Sequence, residues 1–146
     1  MGRLPVRSDF TVARFIQTRW EDNDHYGHIN NAVYYSYFDT AVNGWLIEAT
    51  GTDVRELPEI GVVASTRCRF LRSMSFPDPI EVGVGVGRVG TSSITYRLAV
   101  FVVGDPAPRA VGEFVHVYVD SEGRHPVPIP NVIRAAVSTL PTIDID

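Results

Sequence analysis

A long helix that is apolar on more than one face is the feature that most constrains this fold. Residues 30–49 carry apolar side chains at helical spacing in two rows. The first row contains Tyr34, Tyr37, Phe38, Ala41 and Trp45, and the second contains Val33, Val42, Leu46 and Ala49. At about 1.5 Å per residue the helix would be roughly 30 Å long, enough to cross a small domain. We therefore expect the rest of the chain to surround it.

The rest of the chain supplies strands for this purpose. Strand-like runs rich in β-branched and aromatic residues occupy 10–19, 60–71, 80–89, 93–103 and 110–120. The turns between the last four runs are short, which favours antiparallel hairpins. In the run 80–89 valines alternate with glycines, so Gly83, Gly85 and Gly87 share one face and leave it without side chains at these positions. A sharp bend or a closely packed surface would explain this face, and we favour the bend.

The chain has the size and composition of one globular domain. It has 146 residues, of which 45% are hydrophobic and 21% are charged. We expect a flexible N-terminal arm at residues 1–9, a single domain at 10–140 and a polar C-terminal tail at 141–146. A short amphipathic helix is expected within the domain at residues 131–140.

Charge and cysteine content restrict the partners. The net charge is −4 and all 13 basic residues are arginine, which argues against a nucleic-acid partner. The single cysteine, Cys68, excludes a disulfide within the chain, and no apolar run resembles a signal peptide or reaches membrane-spanning length. These features predict a cytoplasmic protein without membrane attachment.

Polar chemistry is concentrated in the stretch RWEDNDHYGHINNAVYYSYF, residues 19–38, at the start of the helix. Four side chains here could in principle hold a metal: Asp22, Asp24, His25 and His28. Their spacing lacks a His-x-x-x-His on a helix, and no cysteine pair is present, so we predict no metal site.

A carboxylate just before a helix start suits attack on a carbonyl group. Asn30 is the expected helix cap and Gly51 the expected terminator, which leaves free N–H groups next to Asn30. Such groups stabilise a developing oxyanion, and one donor contributes about 10²- to 10³-fold in rate. A general base beside them contributes about 10²- to 10⁴-fold. The carboxylate and the amides must then converge on one carbonyl.

Several separated segments resemble one known family. They are DNDHYGHINNAVYYSYFD, RFLRSMSFPDPIEV, GRVGTSSITY and FVHVYVD, and the similarity extends from about residue 12 to residue 135. They resemble the 4-hydroxybenzoyl-CoA thioesterase family of the hotdog-fold superfamily, and within it the acyl-CoA thioester hydrolase branch. The resemblance implies an α+β hotdog fold, in which a curved five-stranded antiparallel sheet wraps around the long helix. It also implies an acyl-CoA substrate, no cofactor, and a homodimer or homotetramer with active sites between subunits.

The resemblance also implies roles for individual residues. Asp24 matches the catalytic carboxylate, and Asn31 matches the position whose backbone N–H polarises the thioester carbonyl. His28 belongs to the same catalytic loop, with Gly27 at its turn and Asn30 beside the substrate. Whether Asp24 attacks the thioester directly or activates water stays open.

Residues around this centre have two interpretations each. Tyr34 and Tyr37 could line the acyl pocket or belong to the core, and Asp22 could raise the pKa of Asp24 or point to solvent. His116 shares a strand face with aromatic residues and is interpreted as a hydrogen-bonded structural histidine.

Four arginines are candidates for the phosphates of coenzyme A: Arg67, Arg69, Arg72 and Arg88. Strand alternation places Arg67 and Arg69 on one face and Cys68 on the other. Exposed strand charges without a ligand are an equally good explanation.

Two rival functions remain. The first is a non-catalytic acyl-CoA-binding module, and the retained Asp24 argues against it. The second is an enoyl-CoA hydratase, whose D-x-N-P-x-H pattern lacks its Asn-Pro pair here.

Overall fold

The computed structural model describes residues 3–122 and 124–145. The main elements are β1 (Ala13–Ile16), α1 (Val33–Thr50), β2 (Glu59–Phe70), β3 (Ile80–Val89), β4 (Ser93–Val102), β5 (Ala110–Asp120) and α2 (Asn131–Val137). The five strands form one antiparallel sheet in the order β1-β3-β4-β5-β2. This confirms the predicted α+β hotdog architecture.

The long helix packs against the inner face of the sheet as predicted. Phe38, Ala41 and Val42 of α1 are fully buried. The contact is so close at β5 that a Cβ added to Gly112 would lie 2.5 Å from Cε2 of Phe38. The helix ends at Gly51, whose φ of 66° confirms the predicted terminator.

The glycine face of β3 lies beneath other parts of the chain. An added Cβ would lie 2.5 Å from Cγ of Phe10 at Gly83, and 2.4 Å from Cγ1 of Ile143 at Gly85. At Gly87 it would lie 2.6 Å from Nε of Arg97. The closely packed surface, which was the alternative to the favoured bend, therefore accounts for these glycines. They allow the outer face of the sheet to be covered closely.

Both terminal segments help to cover the outer face of the sheet. From the sequence we expected a flexible N-terminal arm and a polar C-terminal tail instead. Arg7 donates from Nε to Oε1 of Glu81 at 2.8 Å. Ile143 is buried, and its N–H donates to the carbonyl of Val86 at 2.8 Å. Residues 1, 2 and 146 of the expected arm and tail lie outside the described residues, and the domain limits stay a prediction.

The two edges of the sheet differ greatly in length. The expected first strand at 10–19 is shorter than predicted, because only Ala13–Ile16 pairs with β3. At the other edge, β2 pairs with β5 along its whole length and leaves its second side open. Its exposed apolar side chains include Val63, 44% exposed, and Phe70, 42% exposed. A long open edge of this kind is a site for pairing with another strand.

Candidate active site at the start of the central helix

A short closed loop carries the predicted catalytic carboxylate. Asn23 forms an antiparallel bridge with Ile29, and the N–H of Asp24 donates to the carbonyl of His28 at 2.8 Å. Gly27 turns the chain with a φ of 84°, a conformation that side chains disfavour. The sequence thus builds a tight loop directly before the helix.

The segment after β2 anchors this loop. The hydroxyl of Ser75 donates to the carbonyl of Gly27 at 2.7 Å, and the N–H of Phe76 donates to Oδ1 of Asn23 at 2.9 Å. The N–H of Ile29 donates to the carbonyl of Met74 at 2.8 Å. The loop is therefore fixed from two sides, which limits the positions of its side chains.

Asp24 is half-buried, and its own loop holds its carboxylate. Oδ1 accepts from the N–H of Tyr26 at 2.9 Å and from the N–H of His28 at 3.4 Å. Oδ2 accepts no hydrogen bond from any described residue. The side chain of His28 is exposed. One oxygen of Asp24 is thus positioned and the other is free for a substrate, a water or a proton.

The helix start offers one unpaired amide. Oδ1 of Asn30 accepts from the N–H of Ala32 at 2.9 Å, and the carbonyl of Asn30 accepts from the N–H of Val33 at 2.9 Å. The regular helix begins at Val33, two residues later than a cap at Asn30 would place it, but Asn30 makes the predicted side-chain capping bond to the turn that leads into the helix. Within the described chain the N–H of Asn31 has no acceptor. This is the amide for which the family resemblance implies a contact with the substrate carbonyl.

Backbone pairing brings the two predicted groups to the same end of the helix. The N–H of Asn30 donates to the carbonyl of Asp22 at 2.9 Å, next to the pair formed by Asn23 and Ile29. Asp24 lines none of the five cavities identified in the described part of the chain. The convergence of Asp24 and Asn31 on one carbonyl therefore stays a prediction, and one chain leaves the surface beside Asp24 open.

Asp22 is a buried structural residue, so the alternative that it points to solvent is wrong. Oδ2 accepts from the hydroxyl of Tyr37 at 2.7 Å and from the N–H of Arg19 at 2.9 Å. Nη2 of Arg19 lies 2.8 Å from Oδ1. Burial alone would raise the pKa of Asp22, but the bonds from Tyr37 and Arg19 outweigh it and lower the pKa. Asp22 ties the loop to the second turn of α1.

Both tyrosines of the helix start are buried. Tyr37 is tied to Asp22, which supports its interpretation as core. Tyr34 packs edge-to-face on Phe70 with ring centroids 5.1 Å apart, and burial raises its pKa to about 12. The end of β2 is therefore in direct contact with the first turn of the helix. A role for Tyr34 in the acyl pocket stays a prediction.

The four arginines do not form one cluster in a single chain. Arg67 and Arg69 pair in register with outward-facing Glu113 and Val111, which agrees with their predicted face. Nη2 of Arg67 donates to Oε2 of Glu113 at 2.9 Å.

The other two arginines lie at different places. Arg72 follows β2, and its Nη2 donates to Oδ2 of Asp105 at 3.2 Å. Arg88 is eight residues along β3 from Ile80, or about 26 Å from the end of the sheet that carries the catalytic loop. In a single chain Arg88 therefore lies at the end of the sheet away from the predicted site.

A cavity of about 350 Å³ lies between α1 and the strands β2 and β5. Its walls are formed by Asn43, Leu46, Val54, Arg55, Leu57, Glu59, Ile60, Gly61, His116 and Tyr118. His116 is 3% exposed, and no described residue bonds to its Nε2 atom, so the hydrogen bond expected of a structural histidine is missing at this nitrogen. Strand alternation predicted the face of His116. Alternation does not show whether the ring nitrogens of His116 are hydrogen-bonded, because their partners would come from residues that are distant in the sequence.

The described residues contain neither a candidate metal cluster nor a membrane-spanning helix. Residues 3–122 and 124–145 contain no group of three or more His, Cys, Asp or Glu side chains arranged to hold a metal ion. In the same residues, neither helix is both long enough and apolar enough to cross a membrane.

The fold and site now define the class of protein. A model of the thioesterase-like superfamily matches residues 18–137, and the chain belongs to this superfamily. Thioesterases among its structural neighbours, 31% and 32% identical to this chain, support thioester hydrolase activity.

Individual relatives make the comparison more specific. The crystal structure of the PA5185 protein from Pseudomonas aeruginosa strain PAO1 is 44% identical, covers 94% of this chain and 96% of that one, and has a TM-score of 0.91. A thioesterase from Thermus thermophilus, crystallised with coenzyme A and Zn, is 31% identical, with coverages of 88% and 98% and a TM-score of 0.73. The uncharacterized protein YsmA of Bacillus subtilis (strain 168) is 26% identical over 117 residues, which cover 80% of this chain and 78% of YsmA.

Proposed function

We propose that this protein hydrolyses acyl-CoA thioesters to a free acid and coenzyme A. The observation that carries the proposal is a pair of unsatisfied groups at one helix end. Oδ2 of Asp24 and the N–H of Asn31 both lack a partner among the described residues. A base or nucleophile together with an oxyanion donor is what hydrolysis of a thioester requires.

In the proposed reaction the thioester carbonyl accepts a hydrogen bond from the N–H of Asn31. Asp24 then either attacks the carbonyl carbon, forming a mixed anhydride that water hydrolyses, or removes a proton from the attacking water. In both routes the thiolate of coenzyme A leaves and is protonated, and water supplies the oxygen of the acid. The fixed Oδ1 keeps Oδ2 in position for either role.

Coenzyme A is the proposed carrier of the acyl group. The relative from Thermus thermophilus, 31% identical, was crystallised with coenzyme A. Arg67, Arg69, Arg72 and Arg88 are the proposed phosphate contacts. Their guanidinium groups match phosphate geometry, although Arg67 and Arg72 already have acidic neighbours.

We further propose that the active form is a homodimer joined through β2, on its own or within a tetramer. The open edge of β2 spans twelve residues, carries exposed Val63 and Phe70, and ends beside Tyr34 at the helix start. A second copy paired along this edge would lie beside Asp24 and exclude water from the surface that one chain leaves open.

The test is thiol release from a panel of short, long, branched and aromatic acyl-CoA esters. Asp24→Asn keeps the shape of the side chain and removes its basicity, so kcat should fall by about 10²- to 10⁴-fold. Glu21→Gln is the matched control, because Glu21 is a nearby exposed carboxylate with 73% of its side chain accessible. The control should keep full activity.

Three results would contradict the proposal. Asp24→Asn activity within a factor of about ten of wild type would remove Asp24 from the chemistry. Tight acyl-CoA binding without thiol release across the panel would indicate a binding module. Loss of enoyl-CoA absorbance without thiol release would indicate a hydratase.

A further inference from the structure

His116 in the cavity wall and Tyr96, which packs against it, each have a buried polar atom that the described residues leave unsatisfied. His116 lies on β5 with its ring packed edge-to-face against Tyr96, at a centroid distance of 5.0 Å. Nε2 of His116 and the hydroxyl of Tyr96 are both buried, and neither has a partner among the described residues. Leaving one such group unpaired costs about 1–3 kcal/mol. A group outside the described residues, either a buried water or part of a ligand, would complete these two bonds.

The imidazole of His116 is neutral, which restricts the ligand. Burial lowers its pKa to about 4, although the carboxylate of Asp39 acts in the opposite direction. A neutral imidazole has one N–H donor and one acceptor nitrogen. A hydroxyl group can satisfy either nitrogen, because it both donates and accepts.

The charges around the cavity disfavour an anionic ligand. Arg55 supplies the cationic side chain of the wall, and its Nη2 is bound to Oδ2 of Asp53 at 2.6 Å. Glu59 adds a carboxylate to the wall. The remaining wall is largely apolar, through Leu46, Val54 and Ile60. A neutral, mainly apolar group with one hydroxyl fits this surface.

The position of the cavity connects it to the proposed active site through the dimer. In one chain, Asn43 at the cavity is ten residues along α1 from Val33, or about 15 Å from the helix start. An antiparallel pairing of two β2 strands would place Glu59 of one copy near the end of β2 in the second copy. In that copy, Phe70 packs against Tyr34 at the helix start. The cavity would thus face the catalytic end of the second chain.

We propose that this cavity receives the distal part of the acyl group, and that His116 selects a neutral acyl chain carrying a hydroxyl group near its far end. This inference rests on the proposed acyl-CoA substrate and on the dimer. His116 acts as a specificity-determining residue, since its ring contacts the bound acyl group and takes no part in breaking the thioester. The cavity volume of about 350 Å³ suits a short chain or a single ring.

Binding of thioether analogues tests this inference without hydrolysis. S-butyl-, S-hexyl- and S-octyl-CoA are compared with their terminally hydroxylated counterparts by isothermal titration calorimetry. At one chain length or more, the hydroxylated analogue should bind wild type about tenfold more tightly. His116→Phe should abolish this difference, and His125→Phe should preserve it. His125 is the matched control because its side chain is 80% exposed and lies outside the cavity.

A spectroscopic measurement covers the case in which His116→Phe fails to fold. In wild-type protein labelled with ¹⁵N-histidine, the hydroxylated analogue should shift a ring nitrogen of His116, and the plain analogue should leave it unchanged. Assignment uses His116→Gln, which retains hydrogen-bonding capacity at this position.

Four outcomes would overturn the inference: no binding of either analogue, equal binding at every chain length, a preference that survives His116→Phe, or no change at the His116 ring. None of them depends on catalysis. Thiol release by wild type combined with any of them would leave the proposed thioesterase function standing. Selective binding without thiol release on the acyl-CoA panel would refute hydrolysis alone.

Discussion

Lowering the pH from 8 to 5 should destabilise this fold partly through one buried imidazole, that of His116. Histidine in an unfolded chain has its ordinary pKa of 6.5, whereas burial lowers the pKa of His116 in the fold to about 4. Between these two values the unfolded chain binds more protons than the folded chain. The free energy of unfolding therefore decreases as the pH falls from about 6.5, and the contribution is fully lost below about pH 4.

The size of the effect follows from the two pKa values. At pH 5 the unfolded imidazole is almost fully protonated and the folded one is mostly neutral, which costs about 2 kcal/mol of stability relative to pH 8. Below pH 4 the loss approaches about 3 kcal/mol. Such a loss is a large fraction of the roughly 5–15 kcal/mol that is typical of a folded domain.

Urea unfolding of wild type and His116→Phe at pH 8 and pH 5 measures this contribution. Tryptophan fluorescence follows the unfolding, because Trp45 lies in the core with 5% of its surface exposed. The loss of stability between the two pH values should be about 2 kcal/mol smaller in His116→Phe than in wild type. Carboxylates such as Asp22 are present in both proteins, so their contributions to the pH dependence of stability cancel in the difference.

His125→Phe provides the comparison for this experiment, because it removes a histidine whose side chain is 80% exposed. All proteins must be measured at one concentration, because dimerisation would add to apparent stability. An equal loss of stability in wild type and His116→Phe would refute the assignment of a low pKa to His116.

Three further predictions concern the interface, the outer face of the sheet and the buried carboxylate. Val63→Arg should shift the protein to monomer in size-exclusion chromatography with light scattering and reduce thiol release. Val103→Arg, at a residue of similar exposure away from β2, should change neither property. Gly85→Val should lower the free energy of unfolding by about 1–3 kcal/mol or more in urea titrations, since its side chain would overlap Ile143; unchanged stability would contradict the close contact. Tyr37→Phe should cost about 1–3 kcal/mol in the same assay, because buried Asp22 loses a donor; a neutral effect would show that water replaces the hydroxyl.

The elements of the fold could be predicted because their signals are local. Apolar residues at helical spacing identified α1, and alternation placed Arg67 and Cys68 on opposite faces of β2. Gly51 marked the helix end, because a left-handed residue there favours glycine. Each of these signals depends on residues within a few positions of one another.

The candidate site was predicted only in part. The motif gave Asp24 and Asn31, and the structure leaves one atom of each unpaired. It could not show that Asp22 is buried, because its partner Tyr37 lies fifteen residues away on another element. The placement of Arg88 at the far end of β3 is also a property of the sheet order rather than of the local sequence.

The sequence by itself determined the elements, their inner and outer faces, and the family to which the chain belongs. Tertiary structure alone decided why β3 carries a glycine face, since Phe10 and Ile143 reach it from opposite ends of the chain. It also decided that His116 lacks a partner at a cavity wall. The physical reason is the same in both cases. Periodicity fixes the direction in which a side chain points, whereas its neighbours depend on packing between residues that are distant in the sequence.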